Sequence, residues 1–301
     1  MECGARHSRG RNRFTGEGQA GERIDAGQRR ALSPPAREIA PAKINLALHI
    51  RGRLPDGRHA IETVFAFCTD GDRLTAEPAE RSSLRISGPF AADLEADEQN
   101  LVMKAARALA QDAGVDRGAA LSLIKNLPVA SGLGGGSADA AAALRLLTSL
   151  WKIDPAHALE VAPKLGSDVP ACLLSLPMRG EGAGDVLTPA GTSDVSGRPV
   201  LLVNPRVALS TAEVFSRWDG KDQGPLGDWR EGRNDLEKPA TELVPQIEAV
   251  LAWLGTRPGA EFVRMSGSGA TCFALFENEE ERDAASEAVP REWWRLATFL
   301  R

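Results

Sequence analysis

The chain has 301 residues, 43% hydrophobic and 26% charged, with a formal net charge of −5. That composition is globular, with length enough for two domains, and its negative balance argues against nonspecific nucleic-acid binding, which wants a basic face. No apolar run approaches the roughly 18 residues of a membrane span, and four scattered cysteines without a C-x-x-C pair support neither a zinc site nor a disulfide framework, so a reducing cytoplasm is the expected setting.

Residues 1–38 carry eight arginines, no lysine and five acids among many Gly and Ser. Such a segment buries too little surface to fold alone, so a disordered N-terminal extension is expected. In residues 38–50, Ile44, Leu46, Leu48 and Ile50 alternate with Asn45, Ala47 and His49, which predicts a strand. Lys43 and Asn45 then share a face; by pattern alone the lysine is equally a solvated strand residue. Asp56-Gly57-Arg58-His59 is a turn by composition, and strands are expected over residues 60–68, 73–76 and 84–87. Asn100 is placed to cap a helix over 101–113. A strand over 119–125 leads to the stretch Leu127-Pro-Val-Ala-Ser-Gly-Leu-Gly-Gly-Gly-Ser-Ala-Asp-Ala140 and a helix ending near Trp151.

A glycine loop feeding a helix start aims unpaired backbone N–H groups at one point, at the positive end of the helix dipole. The loop is therefore a candidate phosphate cradle formed by Pro128, Val129, Ala130, Ser131, Gly132, Leu133, Gly134, Gly135, Gly136, Ser137 and Ala138. Ser137 or Asp139 is available as the helix cap. A side chain at Gly135 is expected to intrude where phosphate approaches. No Lys-Ser/Thr follows the glycines, so this is not a Walker A loop, and the G-x-G-x-x-G spacing of dinucleotide folds is absent.

Asp154-Pro155 opens a further helix that stops near Gly166. Pro170 is expected to end any helix and to push Val169 to extended geometry, which leaves Asp168 at a helix-to-strand turn before strand-like runs over 171–188. Residues 191–198 read as a linker, dividing the folded part into domains over 39–193 and 198–301. The second half reads as a strand over 199–203, a short helix after Ser210, a helix over 241–254, a strand–glycine loop–strand unit over 262–276, a helix over 280–288 and a closing strand over 295–300.

The loop from Pro128 to Ala138 resembles the phosphate loop of the GHMP kinases (galacto-, homoserine, mevalonate and phosphomevalonate kinases). Three further stretches resemble the same family: Pro41-Ala-Lys-Ile-Asn-Leu46, Gly166-Ser-Asp-Val-Pro170 and the third-motif loop Ser266-Gly267-Ser268-Gly269. The resemblance spans about residues 39–300. It implies an α+β, two-domain GHMP kinase fold, with a ribosomal protein S5 domain 2-like N-terminal domain, a ferredoxin-like C-terminal domain and ligands in the cleft between them. It implies phosphoryl transfer from ATP with Mg2+, Lys43 and Asp168 being catalytic and Asp168 the general base. The loop 128–138 would hold the ATP phosphates, and Ser137 would contact the metal. Asn45, Arg58, His59, Asp168, Thr211 and Phe215 would meet the acceptor; by pattern Phe215 is equally a core residue.

The run Gly134-Gly135-Gly136-Ser137 is most similar to the branch of the family that acts on a cytidyl diphosphate sugar alcohol in the non-mevalonate route to isoprenoids. One departure is Arg58, where that branch has tyrosine; this chain has no tyrosine at all. A guanidinium also stacks on a base face. The alternatives are another GHMP small-molecule kinase and a catalytically silent nucleotide-binding relative. A small-molecule substrate, no nucleic-acid or membrane partner, and a monomer or homodimer complete the expectation.

Overall fold

A computed structural model describes residues 36–191 and 195–301. The expected N-terminal extension lies outside the described residues except for Ala36 to Glu38, which are strand rather than extension. β1 (Ala36–Arg53) pairs antiparallel with β2 (His59–Ala79). Their turn closes where Leu54 N donates to Arg58 O and Gly57 N to Leu54 O. The strands expected separately over 60–68 and 73–76 are one element, because β2 serves different partners along its length. Its Thr63–Phe65 segment meets β5 (Met178–Glu181), and its Arg73–Ala79 segment meets β4 (Gly118–Ile124). With β3 (Ser83–Ser87) and β6 (Val186–Pro189) this first sheet runs β3-β4-β2-β5-β6, with β1 on β2.

Four helices accompany that sheet. In α1 (Leu101–Asp112) the Asn100 side chain accepts from Val102 N, as expected of a cap. α2 (Gly135–Trp151) buries Ala138 and Ala140 to Ala143, and these small side chains let it sit close on the sheet and on its helical neighbours. α3 (Ala156–Leu165) follows. Residues 169–174 then differ from expectation: they form α4 (Val169–Leu174), not a strand. Pro170 falls in its first turn, where the missing N–H has no helical partner to lose. Arg145 fastens the far end of α4, donating to the carbonyls of Cys172 (2.8 Å) and Leu173 (3.2 Å) while its Nε meets Glu38 at 2.7 Å.

The second sheet is fully antiparallel in the order β10-β7-β9-β8. β7 (Pro199–Asn204) leads through α5 (Thr211–Ser216), α6 (Glu237–Leu243) and α7 (Gln246–Gly255) to β8 (Ala260–Met265). β9 (Cys272–Phe276), α8 (Glu279–Glu287) and β10 (Trp294–Phe299) complete it. Strand order and succession are those of a ferredoxin-like split βαβ unit. The single helix expected over 241–254 is broken at Pro245, which starts α7 instead of continuing α6.

A shared apolar cluster joins the two halves: Ile44 and Leu46 of β1 pack with Val200, Leu202, Phe273 and Leu275 of the second sheet. β1 is thus covered on both faces, which is why Lys43, Asn45 and His49 are buried along with its apolar residues. Cys68, Cys172 and Cys272 are free and buried. Among the described residues no helix is long and apolar enough to cross a membrane.

Candidate active site

Five chain segments named below converge on one cavity of about 600 Å³. β1 contributes Lys43 and Asn45, the glycine loop contributes most of one wall, the α3–α4 turn contributes Ser167 and Asp168, and Thr211, Phe215, Gly267 and Ser268 come from the second half. The Lys43 ammonium lies 3.1 Å from Asp168 Oδ2 and donates to Asn45 Oδ1 at 2.9 Å. It also stands 5.3 Å from the centroid of the Phe65 ring. Asn45 is held in turn by Thr63, whose Oγ1 accepts from Nδ2 at 2.7 Å and donates to Ala47 O at 2.6 Å. The Asp168 side chain keeps 31% of its exposure and that of Lys43 only 5%. One partner is therefore fixed and the other faces the cavity.

Asp168 immediately precedes α4, after the strained turn at Gly166 (φ +155°), where a side chain would be disfavoured.

Gly134 takes the left-handed conformation (φ 62°, ψ 24°) and caps α2; neither Ser137 nor Asp139 does so. A Cβ on Gly134 would stand 2.9 Å from Lys43 Cε and 3.7 Å from Asp168 Oδ2, so the loop passes directly over the ion pair. The amides opening α2, at Gly135, Gly136 and Ser137, have no partner inside the helix. Pro128 to Gly132 and Gly134 to Ser137 line the cavity, whereas Leu133 and Ala138 do not. Both of those side chains are buried in the core, and Leu133 serves the site through its carbonyl, which accepts from Lys43 N at 3.0 Å.

The third-motif loop is bonded to this one. Ser266 Oγ accepts from Asn45 N (3.2 Å) and donates to Gly132 O (2.9 Å), and Thr271 N donates to Ser131 O (3.1 Å). Asn234 Nδ2 holds it from behind through Met265 O and Gly267 O, both at 2.8 Å. Ser268 Oγ meets Thr211 Oγ1 at 2.9 Å, which brings the loop to the start of α5.

A second chamber of about 430 Å³ opens off the first, sharing Ile61, Ser167, Ala183 and Phe215 with it. His59 lies here, its ring 4.8 Å from that of Phe215 and 5.6 Å, edge-on, from Trp218. Burial, helped by the charge of Arg53, holds the imidazole below its ordinary 6.5, so the ring is neutral at pH 7. Its Nε2 is buried and has no hydrogen-bond partner. Arg58 lines the same chamber, but its guanidinium is engaged by Asp56 (2.8 Å) and Asp185 (3.4 Å). The structure thus brings together Lys43, Asn45, Asp168, Thr211, Phe215 and both glycine loops, and sets His59 and Arg58 in the adjoining chamber.

One cluster escaped sequence reasoning. Lys125, at the end of β4, is buried between Asp72 and Asp139, meeting Asp139 Oδ2 at 2.7 Å. Asp72 Oδ1 also accepts from the amides of Asn126 and Leu127. The ammonium lies beneath the start of α2: a Cβ on Gly135 would stand 3.0 Å from Lys125 Nζ. A side chain at Gly135 would therefore crowd this cation, which lines the same cavity as the glycine loop. The available signal was Asp139 itself, since an acid inside an alanine helix that is otherwise buried demands a partner. One cation does not neutralise two buried carboxylates, and burial pushes Asp139 up to about 7, Lys125 opposing and Asp72 reinforcing the rise. The folded value exceeds the ordinary 3.8, so this group's contribution to stability is complete below that pH and is lost as pH rises through about 7. Denaturant titrations should therefore show wild-type stability declining across that window and the Asp139→Asn variant declining less; parallel curves would contradict the assignment.

The cavity is thus walled by a helix-capping glycine loop and has a lysine–aspartate pair at its floor. The family model for the GHMP kinases N terminal domain matches residues 100–175, and that for GHMP kinases C terminal matches residues 216–296. The chain is 52% identical over 277 residues to the 4-diphosphocytidyl-2-C-methyl-D-erythritol kinase of Rhizorhabdus wittichii, covering 88% of this chain and 94% of that one. It is 50% identical to the enzyme of the same name from Novosphingobium aromaticivorans, covering 91% and 95%. A crystal structure of 4-(cytidine 5'-diphospho)-2C-methyl-D-erythritol kinase superposes with a TM-score of 0.75 at 32% identity, covering 88% of this chain and 98% of that one. A homoserine kinase from Cytophaga hutchinsonii shares the fold, with a TM-score of 0.67 at 17% identity. The chain belongs to the GHMP kinases, in the 4-diphosphocytidyl-2-C-methyl-D-erythritol kinase family.

Proposed function

We propose that the protein transfers the γ-phosphoryl group of ATP to the 2-hydroxyl of 4-diphosphocytidyl-2-C-methyl-D-erythritol, in the non-mevalonate route to isoprenoid precursors and in the cytoplasm. The observation that carries this reading is the 3.1 Å approach of Lys43 Nζ to Asp168 Oδ2 directly under the glycine loop. Phosphoryl transfer asks chiefly for positioning and charge stabilisation. The free amides opening α2 hold the phosphates of ATP against the helix dipole. Asp168, the more exposed of the pair, accepts the proton of the attacking hydroxyl. Lys43, held by Asn45 and Asp168, stays where charge develops on the transferred group.

Magnesium bound with the nucleotide would offset the charge of its phosphates, and Ser137 would be the residue to meet it. Ser137, whose hydroxyl is an oxygen donor of the kind magnesium takes, lines the cavity beside the amides that open α2. In the adjoining chamber, neutral His59 offers its unpartnered Nε2 to the polar edge of the base, and Phe215 offers a ring face. Purified protein given ATP, magnesium and the cytidyl acceptor should release ADP and a product phosphorylated at the 2-hydroxyl. Equal turnover of homoserine or mevalonate would point to another GHMP kinase, and nucleotide binding without transfer to any acceptor to a silent relative.

A further inference from the structure

Three arginines flank the β1–β2 turn, and they are in different chemical states. Arg51 is paired with Glu62 and with Asp222 (2.9 Å). Arg58 is engaged by Asp56 and Asp185. Arg53, the last residue of β1, lines the outer chamber and has no side-chain hydrogen bond or ion pair with the described residues. Its Cα pairs across the ladder with that of His59, and its charge is close enough to depress the protonation of that ring. Two carboxylates already hold Arg58, so of the two guanidinium groups lining this chamber Arg53 is the one without a carboxylate partner among the described residues. The tight turn at Leu54 to Gly57 fixes the strand end that carries it.

The acceptor named above is anionic in its middle: a diphosphate joins the nucleoside to the sugar alcohol. With its reacting hydroxyl at Asp168 and its base at His59, the molecule must pass the residues shared by the two chambers, Ile61, Ser167, Ala183 and Phe215, none of which carries charge. We infer that Arg53 is a specificity-determining contact for this acceptor, its guanidinium holding the diphosphate by charge-assisted hydrogen bonds. The inference rests on the kinase reading and goes beyond it by naming the residue that separates a nucleoside diphosphate conjugate from a bare nucleoside.

The test uses the full chain, with CDP and cytidine as competing probes and steady-state kinetics with the cytidyl acceptor. Arg53→Gln should weaken CDP binding by about tenfold to a hundredfold, while cytidine stays within about twofold. The acceptor's KM should rise by a factor similar to that for CDP, the effect falling on KM rather than kcat, and Arg53→Lys should recover part of the loss. If CDP binds the Arg53→Gln variant as tightly as wild type, Arg53 has no such role. If CDP and cytidine weaken by the same factor, Arg53 acts through His59 and the diphosphate contact is refuted. Wild-type protein that binds neither probe overturns the kinase reading and this contact together.

Discussion

Asp168→Asn is expected to lower kcat by about 10²- to 10⁴-fold while leaving the KM for ATP within about threefold, because the change removes a proton acceptor and preserves shape. Asp168 sits at the start of α4 without capping it through its side chain, so the amide costs the helix no hydrogen bond. Lys43 keeps its bond to Asn45 in the variant and remains under the loop. The fall in kcat should therefore appear with the thermal midpoint nearly unchanged. A parallel collapse of ATP affinity would show that Asp168 is a structural prop for the glycine loop, and the kinase mechanism would need a different base.

The second large effect is on stability. Lys125→Met should destabilise the fold by about 3–5 kcal/mol, the range found when one partner of a buried ion pair is removed. Burial opposes the charge on Lys125, but Asp139 and Asp72 outweigh it and hold the ammonium above its ordinary value. Without the cation, Asp72 still accepts two backbone amides, whereas Asp139 loses its bond and its Oδ1 already has none. Adding Asp139→Asn to Lys125→Met should recover part of the loss, a coupling that a double-mutant cycle in urea would measure. A single-variant loss under about 1 kcal/mol would show that the buried ion pair contributes little to the fold.

Legibility in the sequence followed the range of the interactions. Residues 44–50 declared a strand through alternation, and Asn100 declared a helix start, because both signals are local. The glycine loop and its helix were legible for the same reason, as were Lys43 and Asp168 through short motifs that resemble a known family. Asp168's surroundings were not. Pro170 argues for extended geometry at Val169, yet the first turn of a helix tolerates it, and packing of α4 against its neighbours decided the outcome. Whether the strands at 60–68 and 73–76 were one element depended on partners far along the chain, at β4 and β5. The Lys125 cluster joins residues 53 and 14 positions apart, and no local pattern announces such a meeting.

The hydrogen bond from Asn45 N to Ser266 Oγ closes a loop of 221 residues. On the ribosome, Lys43, the glycine loop and Asp168 emerge long before Ser266, which laces β1 to that loop. A nascent chain halted before Ser266 already holds Lys43, the glycine loop and Asp168 but lacks the lacing, so this cavity is completed late in synthesis. Chains truncated before Ser266 should accordingly be inactive.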